Sequence, residues 1–389
     1  MGNLIKLDKE NMEDILNLTL MQQGLLFHNI KNDDNNLYFE QLSLGISQGL
    51  DLSIFKEAWN LVVEANEMLR TVFRWESVDK PIQIVLRNHK PDIRYIDYSN
   101  KDRNVALSLV EDLKIKDREE KFDLVNVPFR ITLCKVEEQK YEMIISNHHI
   151  IYDGWSNGVV IKEFLNNYNT LIEGKVCEKL KKNKIKNFIK WTQKQDGIKC
   201  EEYWRKYLKS FSEKTEINIK KKKKNEVQFC EDYIFRIKKD IVDNFTRQNK
   251  ITLAALIYTA WGILLQKYND NEDVVFGTTV SGRTAKIDDI ENMVGLFINT
   301  IPLRVKAKGN DKIINLLYKV KRELELREEY ELTPLVNIKK YSEIDNKDEL
   351  FDSIVVIENY PLDNIVMKKE GKLSFDSYSM SEINSFDLT

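Results

Sequence analysis

Cysteine and histidine are both scarce in this chain: 389 residues hold four of each. Cys134, Cys177, Cys200 and Cys230 lie far apart, with no Cys-x-x-Cys pair and no Cys/His cluster. That spacing argues against a disulfide framework or a structural zinc site, and is what buried thiols in a reducing compartment look like. An excess of one charge sign is also missing. Sixty basic residues stand against 62 acidic ones, a formal charge of −2, so no global field draws in nucleic acid or an anionic membrane. No run of about 18 apolar residues occurs, and the opening MGNLIKLDKENMEDILNLTL has no apolar core behind a basic start. The expectation is a cytoplasmic protein without membrane or nucleic-acid partners. There is no repeat of about 20–50 residues, no Gly-rich dinucleotide fingerprint and no P-loop.

What is present is ample apolar material, 42% of the chain, enough for two or more domains. SIFKEAWNLVVEANEMLR places Phe55, Trp59, Val62, Ala65 and Leu69 at helical spacing, with Ser53 as its N-cap. β-rich runs follow at 71–75, 81–86, 129–136 and 141–149, the last two reading as a hairpin around EEQK. SNGVVIKEFLNNYNTLIEG then carries a stripe of Val159, Val160, Phe164, Tyr168 and Leu171 and stops at Gly174. The lysine-rich text after it reads as a linker, and Lys220 to Lys224 as a second exposed segment. In the second half, TLAALIYTAWGILLQKY is apolar almost all round, as a buried helix should be. Strand-like stretches at 273–280, 294–305 and 351–360 flank a charged helix, NDKIINLLYKVKRELELREEY. Both halves mix α and β.

Two of the four histidines, His148 and His149, are adjacent in NHHIIYDGWS. On a strand, neighbouring side chains point to opposite faces, so they cannot chelate one metal together. One should face a cavity and the other the packed side of the sheet, and alternation does not say which. Asp153 and Gly154 fall at a strand-to-helix turn, with a helix starting near Ser156. Unpaired N–H groups at that helix start could stabilise an oxyanion.

The stretch HHIIYDGWS resembles the H-H-x-x-x-D-G core motif of condensation domains from nonribosomal peptide synthetases, a family of the chloramphenicol-acetyltransferase-like superfamily. Further segments are similar to other motifs of the family, in its order: LTLMQQGLLFH, EMLRTVF, KNFIKWTQKQD, VGLFINTIPLRV, TPLVNIKKYSEI and FDSIVVIENYP. The chain departs from the family at Ala65 and Asn66, where Arg-His is usual, and at Tyr330 and Glu331, where His-Gln is usual. It also stops at SEINSFDLT, where the family continues through another strand and helix.

The resemblance implies a mixed α+β fold of two lobes in a V-shaped pseudo-dimer. The boundaries expected are an N-terminal lobe over 1–175, an inter-lobe linker over 176–187, and a C-terminal lobe over 188–389 that lacks its last strand and helix and so has an open sheet edge. It implies peptide-bond formation between two substrates, an acyl or peptidyl thioester donor and an aminoacyl acceptor. Both arrive on the 4'-phosphopantetheine of carrier proteins, beside an adenylation domain of the same synthetase; no cofactor or metal is bound by the domain itself. His149 would face the amine and His148 be its structural neighbour. Asp153 would brace the turn by pairing with Arg283 or by capping the following helix. Gly154 would allow close backbone approach, and Trp155 would pack under the loop beside Ser156. Arg70 and Asn299 would support or line a tunnel. Other readings within reach are a CoA-dependent acyltransferase, an epimerisation domain, or a noncatalytic carrier-protein-binding platform. Because Met1 precedes the first motif so closely, the domain is expected to open its polypeptide, with DKENMEDILNL as a docking element or an ordinary N-terminal helix.

Overall fold

A computed structural model describes residues 8–31, 36–217, 233–345, 347–358, 361–367, 371–383 and 388–389. Cys230 and the run Lys220 to Lys224 lie outside the described residues. In chain order the elements begin β1 (Met12–Asn17), α1 (Leu20–Lys31), β2 (Phe39–Ile46), α2 (Leu52–Ala65), β3 (Thr71–Arg74), β4 (Ile82–Leu86) and β5 (Asp92–Asp97). Then come α3 (Arg103–Glu119), β6 (Phe129–Glu137), β7 (Lys140–His148), α4 (Gly154–Ile172), α5 (Ile185–Gln193), α6 (Gly197–Tyr207), α7 (Lys239–Gln248) and α8 (Leu253–Asn269). The rest are β8 (Asp273–Val280), β9 (Asn299–Lys306), α9 (Ile313–Arg327), α10 (Leu335–Tyr341), β10 (Ile354–Val355), α11 (Pro361–Met367) and β11 (Ser377–Glu382).

These elements form two compact units that do not follow a single cut in the chain. The first contains residues 1–195, 285–298 and 359–385; the second contains 196–284, 299–358 and 386–389. The expected linker, 176–187, therefore lies inside the first unit, and so do three pieces of the expected C-terminal lobe, 188–195, 285–298 and 359–385. Burial is the reason: Met293, Val294, Leu296 and Phe297 are all buried, and Phe297 meets Phe188 edge-on at 4.7 Å between ring centroids.

The first unit holds a five-stranded sheet in the order β11-β2-β7-β6-β5 and a three-stranded sheet β1-β4-β3. In the larger sheet only β5 and β6 are parallel. DKENMEDILNL supplies β1 in place of the expected helix, pairing antiparallel with β4. Helix α2 begins as its pattern requires, but its cap is Asp51, whose carboxylate accepts from the N–H groups of Ser53 and Ile54, rather than Ser53. Phe55, Trp59 and Val62 are fully buried, and Trp59 stacks on Phe164 of α4 at 4.7 Å. Each such aromatic contributes roughly 1.5–3 kcal/mol by leaving water. Gly158 on α4 is dictated by packing, because a Cβ there would come within 2.9 Å of Pro361 on α11. Gly174 ends the helical run with a left-handed φ of 70°.

The second unit is built on β10-β8-β9, with β10 parallel to β8. Helix α8 is less enclosed than its composition suggests. Ala255, Tyr258 and Leu265 are buried, whereas Leu253, Ile257, Leu264 and Tyr268 are exposed, so it lies on its sheet with one face and turns an apolar face outward. The strand expected at 294–305 forms only from Asn299, since the preceding residues pack in the first unit. Of the one expected at 351–360, Ile354–Val355 is strand, and residues 359–360 lie outside the described residues.

Candidate active site

Strand β7 ends at His148, and His149 is the first residue beyond it, its N–H donating to Tyr38 O at 2.8 Å. The two rings then meet opposite surroundings. At His148, Nδ1 accepts the Ile150 N–H at 3.1 Å, Nε2 lies 3.4 Å from the Asn29 side-chain amide, and the Tyr38 ring stands 6.2 Å away. An accepting Nδ1 carries no proton. Burial first, and then the neighbouring His149, pushes this ring down to about 3, so it is neutral.

At His149, Nδ1 lies 3.2 Å from Tyr152 O, a carbonyl that can only accept, so this nitrogen carries a proton. Nδ1 is also 3.3 Å from Glu40 Oε2, and Nε2 is 3.1 Å from Glu382 Oε1. Burial disfavours the charged ring, but the carboxylates of Glu382 and then Glu40 outweigh it and push His149 up to about 10. Glu40 is entirely buried, and that burial raises its pKa despite His149. For Glu382 burial also pulls upward, and His149 overrides it to a lowered value. The two glutamates thus favour the imidazolium form of His149, which is 6% exposed.

The turn after it is held by Asp153, which is fully buried. Asp153 Oδ1 accepts from Ser156 N at 3.1 Å and Ser156 Oγ at 2.9 Å, and Oδ2 accepts from Phe297 N at 2.9 Å. Asp153 thus caps α4, and the cap extends to a staple: Asp153 N donates to Gly295 O, and Ser156 Oγ bridges back to Gly295. Because that carboxylate already occupies the start of α4, a developing oxyanion there would face a negative charge. Gly154 is the first, buried residue of α4 and is not among the residues with positive φ. Trp155 Nε1 donates to Glu291 O at 3.0 Å.

The other expected residues fall in both units. Arg70 donates to Glu13 Oε2 at 2.6 Å and to Leu86 O, and borders a cavity of about 570 Å³ lined also by Asn66, Glu67, Cys177, Lys182 and Lys184. Arg283 and Asn299 are buried in the second unit, where Asn299 Nδ2 donates to the carbonyls of Glu331 and Thr333 at 2.8 and 2.7 Å. Sequence reasoning missed Glu40, Glu382 and Asn157, whose amide donates to Glu40 Oε1. Glu40 left a trace, as an acidic residue inside the apolar strand FEQLSLGI; Glu382 left none. Among the described residues no group of three or more His, Cys, Asp or Glu is arranged to hold a metal ion, and no helix is long and apolar enough to cross a membrane.

A histidine held by a strand-to-helix turn on a mixed α/β scaffold defines the class to which comparison then gives a family. A family model described as Condensation domain matches residues 12–389, and the chain belongs to that family. It is 34% identical over 391 residues to gramicidin S synthase 2 of Brevibacillus brevis, covering 98% of this chain and 9% of that protein. It is 33% identical over 390 residues to surfactin synthase subunit 2 of Bacillus subtilis (strain 168), covering 98% and 11%. The chain thus spans about a tenth of the length of these relatives. The fold is shared with the starter condensation domain of rhizomide synthetase RzmA, at a TM-score of 0.72 and 15% identity over 96% of this chain and 84% of that one. It is shared too with the first condensation domain of the CDA synthetase, at 0.71 and 14% over 90% and 81%.

Proposed function

We propose that this domain joins two carrier-bound substrates by attack of an aminoacyl amine on the thioester carbonyl of an acyl or peptidyl donor. Both substrates would be presented on 4'-phosphopantetheine arms, by carrier proteins of a synthetase that also supplies an adenylation domain. In the step, the amine nitrogen bonds to the carbonyl carbon, the C–S bond breaks, the thiolate leaves, and the amine's surplus proton passes to it. Family membership supports the reaction class. His149, held as a cation between two carboxylates, is the observation that carries the role of the site.

An imidazolium cannot take a proton, so the geometry favours His149 as a group that orients the reactants over one that acts as general base. The energetics agree. An α-amino group has a reference pKa of about 7.7–8.0 and is partly neutral near pH 7 without help. Positioning two tethered reactants can supply about 7–11 kcal/mol, whereas placed proton transfer contributes ~10²–10⁴-fold. Asp153, through Ser156 and Phe297, fixes the turn that aims the ring.

Condensation between two loaded carriers tests this reading. The unmodified domain should form the amide, and His149→Ala should lose it while keeping its circular dichroism. The burial of His149 favours one second reading, a platform that binds carriers without chemistry. Carrier binding without amide formation by the unmodified domain would select that reading.

A further inference from the structure

Strand β11 reaches the first unit's sheet from the far end of the chain and pairs antiparallel with β2, with Glu382 directly opposite Glu40. Two carboxylates facing one another across a ladder repel, and the arrangement is costly unless something positive lies between them. The His149 ring is what lies there, 3.3 Å from Glu40 on its Nδ1 side and 3.1 Å from Glu382 on its Nε2 side. The other titratable groups around the ring are His148 beside it on β7, and Tyr152 and Asp153 in the turn.

The two glutamates are not equivalent. Glu40 has no exposed side-chain surface, and Asn157 also holds it. The Glu382 side chain is 38% exposed, and it forms the solvent side of the cluster. Its approach to Nε2 is within ion-pair distance but lacks hydrogen-bond alignment, so that nitrogen has a charge partner without a directed bond. The strand's own end is fixed, with Tyr38 N donating to Ile383 O at 2.7 Å and Ile383 N to Phe39 O at 3.1 Å. Tyr38 O is also the acceptor for His149 N, so β11 and the histidine share one backbone anchor.

We infer that Glu382 is a positioning residue for His149: docking of β11 sets a carboxylate against Nε2 and so holds the ring in place and in its cationic form. Glu40 alone pins only the Nδ1 side. The inference rests on the reading of His149 given above, and it adds that the state of this ring is decided by a strand more than two hundred residues away in sequence.

The experiment is imidazole ¹⁵N NMR of the full chain labelled in histidine, across a pH series, with Glu382→Gln and Glu382→Asp beside the unmodified domain. In the unmodified domain both His149 nitrogens should be protonated at pH 8. In Glu382→Gln the midpoint should fall by at least about one unit, a tenfold rise in neutral ring at fixed pH, with Glu382→Asp between the two. The pH profile of condensation between loaded carriers should move in the same direction. If Glu382→Gln does not fold, the Asp variant and the unmodified domain decide. A His149 titration that is the same in all folded forms, or a neutral ring at pH 8 in the unmodified domain, overturns the inference. The NMR reads without carriers, so its failure is distinct from that of the proposed reaction, which an active His149→Ala would expose.

Discussion

The two sides of the β7 terminus are opposites in their surroundings. On the His148 side the ring meets Tyr38, an amide and a backbone N–H, and it is neutral. On the His149 side the ring meets two glutamates and a carbonyl, and it is charged. Residue type and sequence neighbourhood are the same, but His148 is the last residue of β7 and His149 the first of the turn beyond it, so one imidazole meets a dipolar lining and the other lies between two glutamates. Burial by itself does not set the charge of a histidine. What it is buried against does.

The sharpest way to break this contrast is to exchange the two rings for neutral side chains in turn. His149→Ala is expected to lower condensation by at least ~10²-fold, as loss of a positioning group does, measured as amide product from two loaded carriers. His148→Gln, which replaces one neutral ring by a neutral amide, should retain most activity and the same pH profile. Equal losses would mean that the two sides are functionally alike.

Next in size is Asp153→Ala. It removes a helix cap, at about 0.5–2 kcal/mol, together with the carboxylate that accepts the Phe297 N–H. The urea midpoint should fall accordingly, and activity with it, because the turn that aims His149 loses its side-chain tie to Phe297 N.

The contrast also gives stability two opposite slopes with pH. His149 is raised in the folded state, from 6.5 to about 10. Its contribution is therefore full below 6.5 and fades as pH rises from there toward 10. His148 is depressed to about 3. As a ring buried neutral, it contributes fully above 6.5 and is lost as pH falls toward 3. Urea titrations over this range should show both limbs. His149→Ala should flatten the alkaline limb, and His148→Gln the acidic limb.

The smallest effect is expected of Glu40→Gln. It removes the like-charge facing of Glu40 and Glu382 but also the Nδ1-side anion of His149. Stability at neutral pH should change by less than about 1 kcal/mol while the His149 midpoint falls, read by urea midpoint and NMR. A large loss of stability would show that the pairing of Glu40 with His149 outweighs its repulsion of Glu382.

Much of the first unit was legible because its signals are local. The periodicity of α2 and α4, the stop at Gly174 and the β6–β7 hairpin each depend on residues within a turn or a strand pair of one another. The Asp51 cap was misplaced by two residues because Asp and Ser are both good caps and only geometry chooses between them. The second unit was read less well. The apolar stretch of α8 suggested burial all round, yet the strand β9 packs against one face only, near enough that Gly262 can carry no Cβ without meeting Val305 at 2.6 Å. VGLFINTIPLRV looked like one strand because most of its residues are apolar or β-branched. It is divided between the units because its first residues bury against α5.

By itself the sequence determined the family, through ordered motifs, together with the local elements and the position of the His-Asp turn. These rest on short-range patterns, and on side-chain chemistry that does not depend on distant partners. Which histidine carries charge, what holds it, and which pieces of the chain complete the first unit were decided only in three dimensions. The cause is that a carboxylate acts on an imidazole through distance and desolvation, and strand pairing brought Glu40 and Glu382 within 3.3 and 3.1 Å of a ring to which neither is close in sequence.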